Sequence, residues 1–324
     1  MPSLRRFVTA SLVLSTLLAG AAYAQPYPSR PIRLIAPSSP GSGVDLVSRT
    51  IAPPLSAELG QQVVVDNRAG AGGSIGADIA SKAAPNGYTL IMATPSTVIN
   101  AHLLKNMSTN LLGEFTPISL ATSGQFVLIV NPSLVAAKTA PQFIALAKAK
   151  PGAIHYGSAG QGNVTHLAGE LFKHAAGVDL THVPYKGSGP ALIGLLGGQI
   201  QAMFANIAAA LPHIKSGKVH AIASTGLKRA GVAPDVPTFA EAGVSGYEVT
   251  GWFGLMAPKG TPRDALAKLH AATVKVLRSP DTAERMSREG LDPVGSTPAE
   301  FATYLESEGK KWGRAVQISG AKAN

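Results

Sequence analysis

The chain has 324 residues, with 28 lysines and arginines, 18 aspartates and glutamates, a formal net charge of +10 and no cysteine. A chain of this length favours two domains, since a single hydrophobic core rarely grows so large. The lack of cysteine excludes disulfide scaffolds, thiolate metal sites and cysteine nucleophiles. The basic residues are not clustered and aromatic residues make up only 6%, so we do not expect nucleic-acid binding. We interpret the charge as a solvated surface that weakly attracts anions.

The first 24 residues have the pattern of a secretory signal peptide. Two early arginines are followed by an apolar stretch, 7–20, and then by the small-x-small cleavage signature Ala22-Tyr23-Ala24. The apolar stretch is too short to span a bilayer as an uncleaved anchor. The sequence therefore predicts export to the periplasm, with a signal peptide at 1–24 that is removed.

Short apolar runs alternate with segments of helical periodicity along the rest of the chain. The run at 32–36 predicts a buried strand, and apolar residues at helical spacing over 44–59 predict a helix that Pro53-Pro54 should kink or break. The segment 225–246, rich in proline and glycine, predicts a loop. Further predicted strands are 63–65, 89–93, 126–130, 154–157, 181–184, 201–204, 221–224 and 252–257. Further predicted helices are 73–83, 140–150, 163–176, 190–196, 262–277, 280–289 and 298–317.

The repeated strand–helix order predicts an α/β fold with right-handed crossovers and two mostly parallel sheets. We expect the chain to cross between two units near Gly124 and Gly251. This gives a first lobe of 25–124 and 251–324, on which the C-terminal helices pack, and a second lobe of 125–250. A hinged two-lobed protein normally binds its ligand between the lobes. We interpret Trp252-Phe253 as packing of a hinge strand rather than as a surface for ligand stacking.

Four loops rich in glycine, serine and threonine lie between predicted strands and helices. Ligands of such folds bind where strands end and helices begin, because the free N–H groups of a helix N-terminus attract anions. We therefore expect an anion site built from main-chain amides and hydroxyls, without an arginine. The loops are 37–45, 94–97, 158–166 and 185–189.

Signatures of enzymes and metal sites are weak. The segment 72–76 matches the Gly-x-Ser-x-Gly nucleophile elbow, so an exported serine hydrolase using Ser74 is the alternative function, although no strand directly precedes Ser74. His166 and Glu170 lie four residues apart but outside a His-Glu-x-x-His motif, and no dinucleotide or P-loop fingerprint occurs. We expect no catalytic residue, no metal and no cofactor.

Short motifs follow one another in a specific order along nearly the whole chain. Examples are Tyr-Pro-Ser-Arg-Pro-Ile at 27–32, Gly-Ala-Gly-Gly-Ser-Ile-Gly-Ala at 70–77, Ala-Pro-Asn-Gly-Tyr-Thr-Leu at 84–90 and His-Val-Pro-Tyr-Lys-Gly at 182–187. Others lie at 156–160, 166–172, 211–214, 234–238, 252–255 and 293–298. Together they resemble the periplasmic solute-binding proteins of tripartite tricarboxylate transporters, the Bug or TctC family.

The resemblance implies a two-lobed Venus-flytrap fold, similar to type II periplasmic binding proteins, with a hinge. It implies capture of a small organic carboxylate and its delivery to membrane transporter subunits or to a sensor; we expect a monomer. In the family the first loop holds one carboxylate and the second lobe holds other ligand groups. Transferred by position, the ligand-binding residues are Pro40, Gly41, Ser42, Gly43, Asp45, Ser96, Thr97, Ser158, Gly160, Gly162, Asn163, Thr165, His166, Tyr185 and Asn206. We expect Asp45 to brace the loop rather than to face a carboxylate.

Three departures from the family pattern bear on the ligand. Relatives commonly have an aromatic residue at the position of Ser38 and a glycine at that of Ser42. Many also have an aspartate at the position of Ala205, whose loss would remove a negative charge from the cleft wall. We therefore predict a ligand without an ammonium group, such as a dicarboxylate or an aromatic carboxylate.

Overall fold

The computed structural model describes residues 27–103 and 111–319, and the predicted signal peptide lies outside these ranges. Short 3₁₀ turns occur at Ala71–Gly73 and Leu111–Glu114. The described strands are β1 (Ile32–Ala36), β2 (Val63–Asn67), β3 (Thr89–Ala93), β4 (Phe115–Val130), β5 (His155–Ser158), β6 (Thr181–Pro184), β7 (Ala202–Asn206), β8 (His220–Ser224), β9 (Thr250–Pro258) and β10 (Leu291–Pro293). The described α-helices are α1 (Gly43–Leu59), α2 (Ser74–Ser81), α3 (Pro95–Leu103), α4 (Ala140–Ala149), α5 (Val164–Ala176), α6 (Ser188–Leu196), α7 (Ile207–Lys215), α8 (Arg263–Arg278), α9 (Pro280–Arg288) and α10 (Pro298–Ser319).

The first sheet has the strand order β2–β1–β3–β9–β4. β1 is parallel to β2 and β3, whereas β9 is antiparallel to β3 and β4, and β10 is antiparallel to β4. The expectation of a mostly parallel sheet is therefore wrong for the inner strands. β9 enters directly from the second lobe, without the crossover helix that a parallel neighbour requires.

The second sheet has the order β6–β5–β7–β4, with β8 on the other side of β4. β5 is parallel to β6 and β7, and β4 is antiparallel to β7 and β8. β4 is thus shared by both sheets, and its partner changes from β9 to β7 between Gln125 and Phe126. The α/β class with two lobes is confirmed, but both sheets are mixed.

β4 is much longer than the predicted strand at 126–130 because its first half contains polar residues. Ser119 and Thr122 are buried, and their hydroxyls donate hydrogen bonds of 2.8 Å to the carbonyl oxygens of Ser296 and Asp292. Burying a hydroxyl that has a hydrogen-bond partner costs little free energy. The strand therefore continues through positions that interrupt the apolar pattern.

Besides α3, which was not predicted, the helices differ from the predictions at three places. α1 continues through Pro53 and Pro54 without a break, since Pro53 is exposed and Pro54 half-buried and water can replace the lost main-chain hydrogen bonds. α7 was not predicted, and it contains Pro212. α8 and α9 pack on α1 in the first lobe as expected, but α10 packs on α3 and also on α5 of the second lobe. In the described ranges, no helix combines the length and the apolar character needed to cross a membrane.

Candidate ligand-binding cleft

A partly open cavity lies between the two lobes, where five helices begin. The first residues or the N-caps of α1, α3, α5, α6 and α7 line it, and we call it the cleft. Its lining consists of Pro37, Ser38, Ser42, Gly43, Val44, Thr94, Pro95, Ser96, Phe126, Asn163, Val164, Thr165, Ser188, Asn206, Gly251, Trp252 and Phe253.

The start of α1 forms part of the first wall. Ser42 is the N-cap, and its Oγ accepts a hydrogen bond of 3.4 Å from the amide of Asp45. The amides of Gly43 and Val44, the first two residues of α1, have no acceptor within the described part of the chain. They are orphan donors of a helix N-terminus, and both residues line the cleft. Both amides can therefore donate to an acceptor in the cleft.

Asp45 belongs to this loop but does not line the cleft. Its carboxylate accepts hydrogen bonds from the amide of Gly41 at 2.9 Å, from Arg49 Nε at 2.8 Å and from Asn67 Nδ2 at 3.0 Å. Asp45 therefore braces the loop, and the amide of Gly41 is already occupied.

The predicted loop at 94–97 is wrong, because Pro95 begins α3. Proline suits the first turn of a helix, since its ring presets the backbone angle φ. Thr97 Oγ1 accepts a hydrogen bond of 3.2 Å from the amide of Thr94 and is not part of the cleft lining. Ser96 does line the cleft, and its Oγ accepts a hydrogen bond of 3.0 Å from the amide of Val164 on the other wall.

The start of α5 forms the facing wall. Asn163 is the N-cap, and its Oδ1 accepts hydrogen bonds from the amide of Thr165 at 3.0 Å and from Thr165 Oγ1 at 2.9 Å. Thr165 Oγ1 in turn accepts one of 2.9 Å from the amide of Ala159. Both predicted residues line the cleft with their orientations fixed by these bonds.

Four other predicted residues lie behind this wall and not on it. Ser158 is fully buried, with its Oγ 2.6 Å from His182 Nε2 and 3.1 Å from the amide nitrogen of Gly160. The amide of Gly162 donates to His166 Nδ1 at 3.3 Å. None of Ser158, Gly160, Gly162 and His166 lines the cleft. They fix the shape of the loop that presents Asn163.

The rings of His166 and His182 stack with their centroids 4.1 Å apart. Burial lowers the pKa of both, and that of His182 falls to about 3, with additional lowering by His166 and Lys173. Both imidazoles are therefore neutral near pH 7. Because Nδ1 of His166 accepts from an amide, the proton of that ring is on Nε2.

Asn206 lines the cleft and contains a buried, unpaired donor. It is the N-cap of α7, and its Oδ1 accepts a hydrogen bond of 3.0 Å from the amide of Ala208. Its Nδ2 has no partner in the described part of the chain, although the residue is only 7% exposed. Leaving a buried amide nitrogen unpaired costs about 1–3 kcal/mol, so a ligand that accepts from Nδ2 would recover this free energy.

Tyr185 and Pro40 lie outside the cleft lining. The hydroxyl of Tyr185 donates to Gln199 Oε1 at 3.4 Å, so it is turned toward the end of α6. The carbonyl oxygen of Pro40 lies against Gly189 on the facing wall.

An apolar surface of the cleft was not predicted as part of the site. Phe126, Trp252 and Phe253 lie where β4 and β9 pass between the sheets, and all three line the cleft. Trp252 and Phe253 are both buried, in keeping with the predicted packing of a hinge strand, and they also border the cleft. Trp252 Nε1 donates to the buried carboxylate of Glu308 on α10 at 2.7 Å, which fixes the indole from behind.

The residues that line the cleft include no charged side chain. Its electrostatic potential therefore comes from the helix N-termini, each equivalent to about half a positive elementary charge. Hydroxyls, amides and aromatic rings complete the surface. An anion with an apolar body matches this arrangement.

Comparison with known proteins decides the family. The family described as "Tripartite tricarboxylate transporter family receptor", TctC, matches residues 47–321. The chain belongs to the TctC family. Protein BugT of Bordetella pertussis (strain Tohama I) is 37% identical over 317 residues, which cover 96% of this chain and 97% of BugT.

Solved structures of the family show the same fold. A structure described as a periplasmic transporter is 41% identical, with a TM-score of 0.88 over 92% of this chain and 100% of its own. An R. palustris protein with adipate is 33% identical, with a TM-score of 0.88 over 91% and 99% of the two chains. MatC from Rhodopseudomonas palustris, with bound malate, is 32% identical, with a TM-score of 0.85 over 90% and 100%. TctC proteins are solute-binding receptors, as the sequence motifs predicted.

The alternative hydrolase function has no support in this TctC chain. Ser74 follows a 3₁₀ turn and begins α2, so it does not stand at a strand-to-helix elbow. Within the described ranges, no hydrogen bond joins Ser74 to a histidine, and Ser74 does not line the cleft. A serine nucleophile needs both a base and a pocket.

The argument from Ala205 is wrong. Ala205 packs with Val127, Ile129 and Ala191 in an apolar cluster of the second lobe. Successive residues of a strand point to opposite faces of the sheet, so only Asn206 reaches the cleft. Lack of an acid at 205 therefore says nothing about an ammonium group on the ligand.

Proposed function

We propose that this protein is a periplasmic receptor that captures a small organic carboxylate in the cleft and delivers it to membrane transporter subunits or to a sensor. In this proposal residues 25–124 and 251–324 form one lobe, residues 125–250 form the other, and the lobes close on the ligand. Residues 1–24 serve as the cleaved signal peptide, and the receptor acts as a monomer.

The observation that carries the proposal is the convergence of five helix N-termini on an uncharged cleft. An anion is the ligand that such an arrangement stabilises, and no buried cation has to be paired or desolvated. Hydrogen bonds to a charged group contribute about 1.5–3 kcal/mol each. Several such bonds, from Gly43, Val44 and Asn206 among others, suffice for micromolar affinity, which corresponds to about −8 kcal/mol, after the cost of association.

The class of acid follows from the rest of the lining and from the relatives. Phe126, Trp252 and Phe253 offer an apolar surface to the carbon chain or ring of an acid. Structures of relatives contain adipate and malate, which are small aliphatic dicarboxylates. We therefore propose small carboxylic acids of this size, including dicarboxylates, as ligands.

The test is binding of acids and of matched neutral compounds to the purified mature protein. Calorimetry and thermal shift are carried out with malate, adipate, benzoate and the neutral diamide of adipic acid. At 100-fold excess over its Kd, a bound acid adds about 2.7 kcal/mol to the free energy of unfolding. We expect at least one acid to bind and the diamide not to bind. Failure of every acid, or equal binding of the diamide, would contradict the proposal.

A further inference from the structure

The two walls of the cleft touch through bare backbone at Gly72 and Gly189. Gly72 precedes α2 on the first lobe, and a Cβ there would collide with the carbonyl oxygen of Gln161 and lie 3.1 Å from the amide nitrogen of Asn163. Gly189, in the first turn of α6 on the second lobe, faces the opposite way. A Cβ on it would lie 2.6 Å from the carbonyl oxygen of Pro40. Glycines of both lobes thus contribute to the contact, and at Gly72 and Gly189 the nearest atom of the other lobe is a main-chain oxygen.

Hydrogen bonds between the lobes accompany these glycines. Ser96 Oγ accepts from the amide of Val164 at 3.0 Å, and Ser39 Oγ accepts from the amide of Gly189 at 3.3 Å. Neither Gly72 nor Gly189 lines the cleft, so neither is placed to contact a ligand in it. We call these contacts, made by residues 39–40, 72 and 96 with residues 161–164 and 189, the seam.

We propose that Gly72 and Gly189 are closure determinants: the absence of a side chain at each allows the lobes to meet, and so sets the balance between open and closed forms. This inference rests on the proposed function, since closure matters because it completes the site. It also gives the Gly-x-Ser-x-Gly segment a role other than catalysis.

The physical reason is that the obstructing atoms belong to the main chain. Carbonyl oxygens of Gln161 and Pro40 cannot rotate away as the end of a side chain can, so a methyl group at either glycine must hold the lobes apart. A ligand that binds the closed form has an apparent Kd inversely proportional to the populated closed fraction. Blocking closure therefore weakens binding without altering any residue of the cleft.

The first experiment compares Gly189→Ala with Gly309→Ala. Both glycines lie in helices without a positive φ, but a Cβ on Gly309 meets nothing within 4 Å. Alanine is the better helix former at Gly309, whereas Pro190 disfavours a helical alanine at Gly189, so thermal denaturation is used to check that both variants are folded. We expect the Kd for malate or adipate, whichever the parent binds, to rise tenfold or more in Gly189→Ala and to stay within twofold in Gly309→Ala.

The second experiment compares Gly72→Ala with Gly60→Ala, because both glycines have a left-handed φ, +64° and +69° respectively. The strain of an alanine in this region is therefore matched. A Cβ on Gly60 meets nothing within 4 Å, whereas one on Gly72 meets the second lobe. Loss of thermal stability should be at least as large in Gly72→Ala as in Gly60→Ala, and loss of affinity should occur only in Gly72→Ala.

A third measurement needs no ligand. Small-angle X-ray scattering of the ligand-free mature protein reports the average separation of the lobes. Gly72→Ala should have a larger radius of gyration than the parent, because a Cβ on Gly72 meets the main chain of the second lobe. Gly60→Ala, whose Cβ meets nothing within 4 Å, should have the radius of gyration of the parent.

The outcomes separate the two proposals. If the parent binds no acid but Gly72→Ala still increases the radius of gyration, the inference on closure stands and the proposed function fails. If the parent binds an acid and both seam variants bind it equally well, the closure inference is overturned. Equal radii of gyration of the parent and Gly72→Ala also overturn it.

Discussion

A single nitrogen atom, Nδ2 of Asn206, gives the most direct test of what the cleft binds. Asn206→Asp replaces this donor by a carboxylate oxygen and keeps the acceptor that caps α7, a role that aspartate performs as well as asparagine. We expect the Kd for a carboxylate ligand to rise at least about tenfold, since a hydrogen bond to a charged group is lost and a like charge is added. Calorimetry measures the affinity.

Asn86→Asp is the control for this substitution. It introduces the same charge in the loop that precedes β3, at the opposite end of the strand from the cleft-lining Thr94. Its affinity for the ligand should match that of the parent. If Asn206→Asp also bound like the parent, Nδ2 would not contact the ligand.

The buried histidine pair makes the free energy of unfolding dependent on pH. The pKa of His182 is about 3 in the folded protein and near 6.5 when unfolded, so acid protonates the unfolded chain first. The contribution of neutral His182 to the free energy of unfolding is complete above pH 6.5 and declines as the pH falls toward 3. The decline is less than about 1.4 kcal/mol per pH unit, because His182 is partly exposed.

His182→Gln should therefore flatten the fall of Tm between pH 6.5 and 4. Glutamine can keep a hydrogen bond to Ser158 but does not titrate. The control is His174→Gln, which removes an exposed histidine from α5. Parallel Tm curves for the parent and His182→Gln would show that the pair does not set the pH dependence.

The sequence predicted the capping residues of the cleft better than their neighbours. Ser42 and Asn163 follow glycine-rich turns and precede apolar helices, and this pattern reports an N-cap. Ser158 and His166 lie in the same predicted loop but behind it. Sequence spacing cannot show on which side of a loop a side chain lies. The unpaired state of Asn206 Nδ2 depends on contacts between segments far apart in the chain.

At the scale of elements, α10 connects the C-terminus to the cleft. Its Glu308 is 4% exposed, and one carboxylate oxygen accepts from the indole nitrogens of both Trp252 and Trp312 at 2.7 Å. Glu308→Ala would leave two buried N–H groups unpaired, at about 1–3 kcal/mol each. We expect urea denaturation to show a loss of at least about 2 kcal/mol in the free energy of unfolding.

Glu308→Ala should also weaken ligand binding, since Trp252 lines the cleft. Glu306→Ala is the matched control on the same helix, where the side chain is exposed, and it should change stability by no more than about 0.5 kcal/mol. Equal stabilities of the two variants would contradict a supporting role of Glu308.

The type of most elements could be predicted from the local sequence pattern, whereas the relative direction of the strands could not. The runs at 32–36 and 89–93 are apolar except for Arg33 and Thr89, and both strands were predicted with the observed bounds. β9 was also predicted as a strand, but its antiparallel pairing with β3 and β4 depends on where the chain returns from the second lobe. α3 was missed because its first residues, Pro95, Ser96 and Thr97, are also typical of a loop.

In the molecule as a whole, the two lobes are in contact along the seam. α10 packs on both lobes. When the lobes separate, this helix must either change its packing against both lobes or remain packed on only one of them. Ligand exchange should then require the seam contacts at Ser39 and Ser96 to separate, because they connect the walls on either side of the cleft.

Gly72→Ala should therefore speed ligand release. In this variant the lobes are held apart, so ligand should dissociate at least about tenfold faster than from the parent, and it should associate at least as fast, because entry needs the open form. Gly60→Ala, in which the added Cβ meets nothing within 4 Å, should have both rates of the parent. Stopped-flow measurement of tryptophan fluorescence suits this test, since Trp252 lines the cleft and Trp312 shares its carboxylate partner. Unchanged dissociation from Gly72→Ala would show that the ligand leaves without separation of the lobes, and that closure does not gate the site.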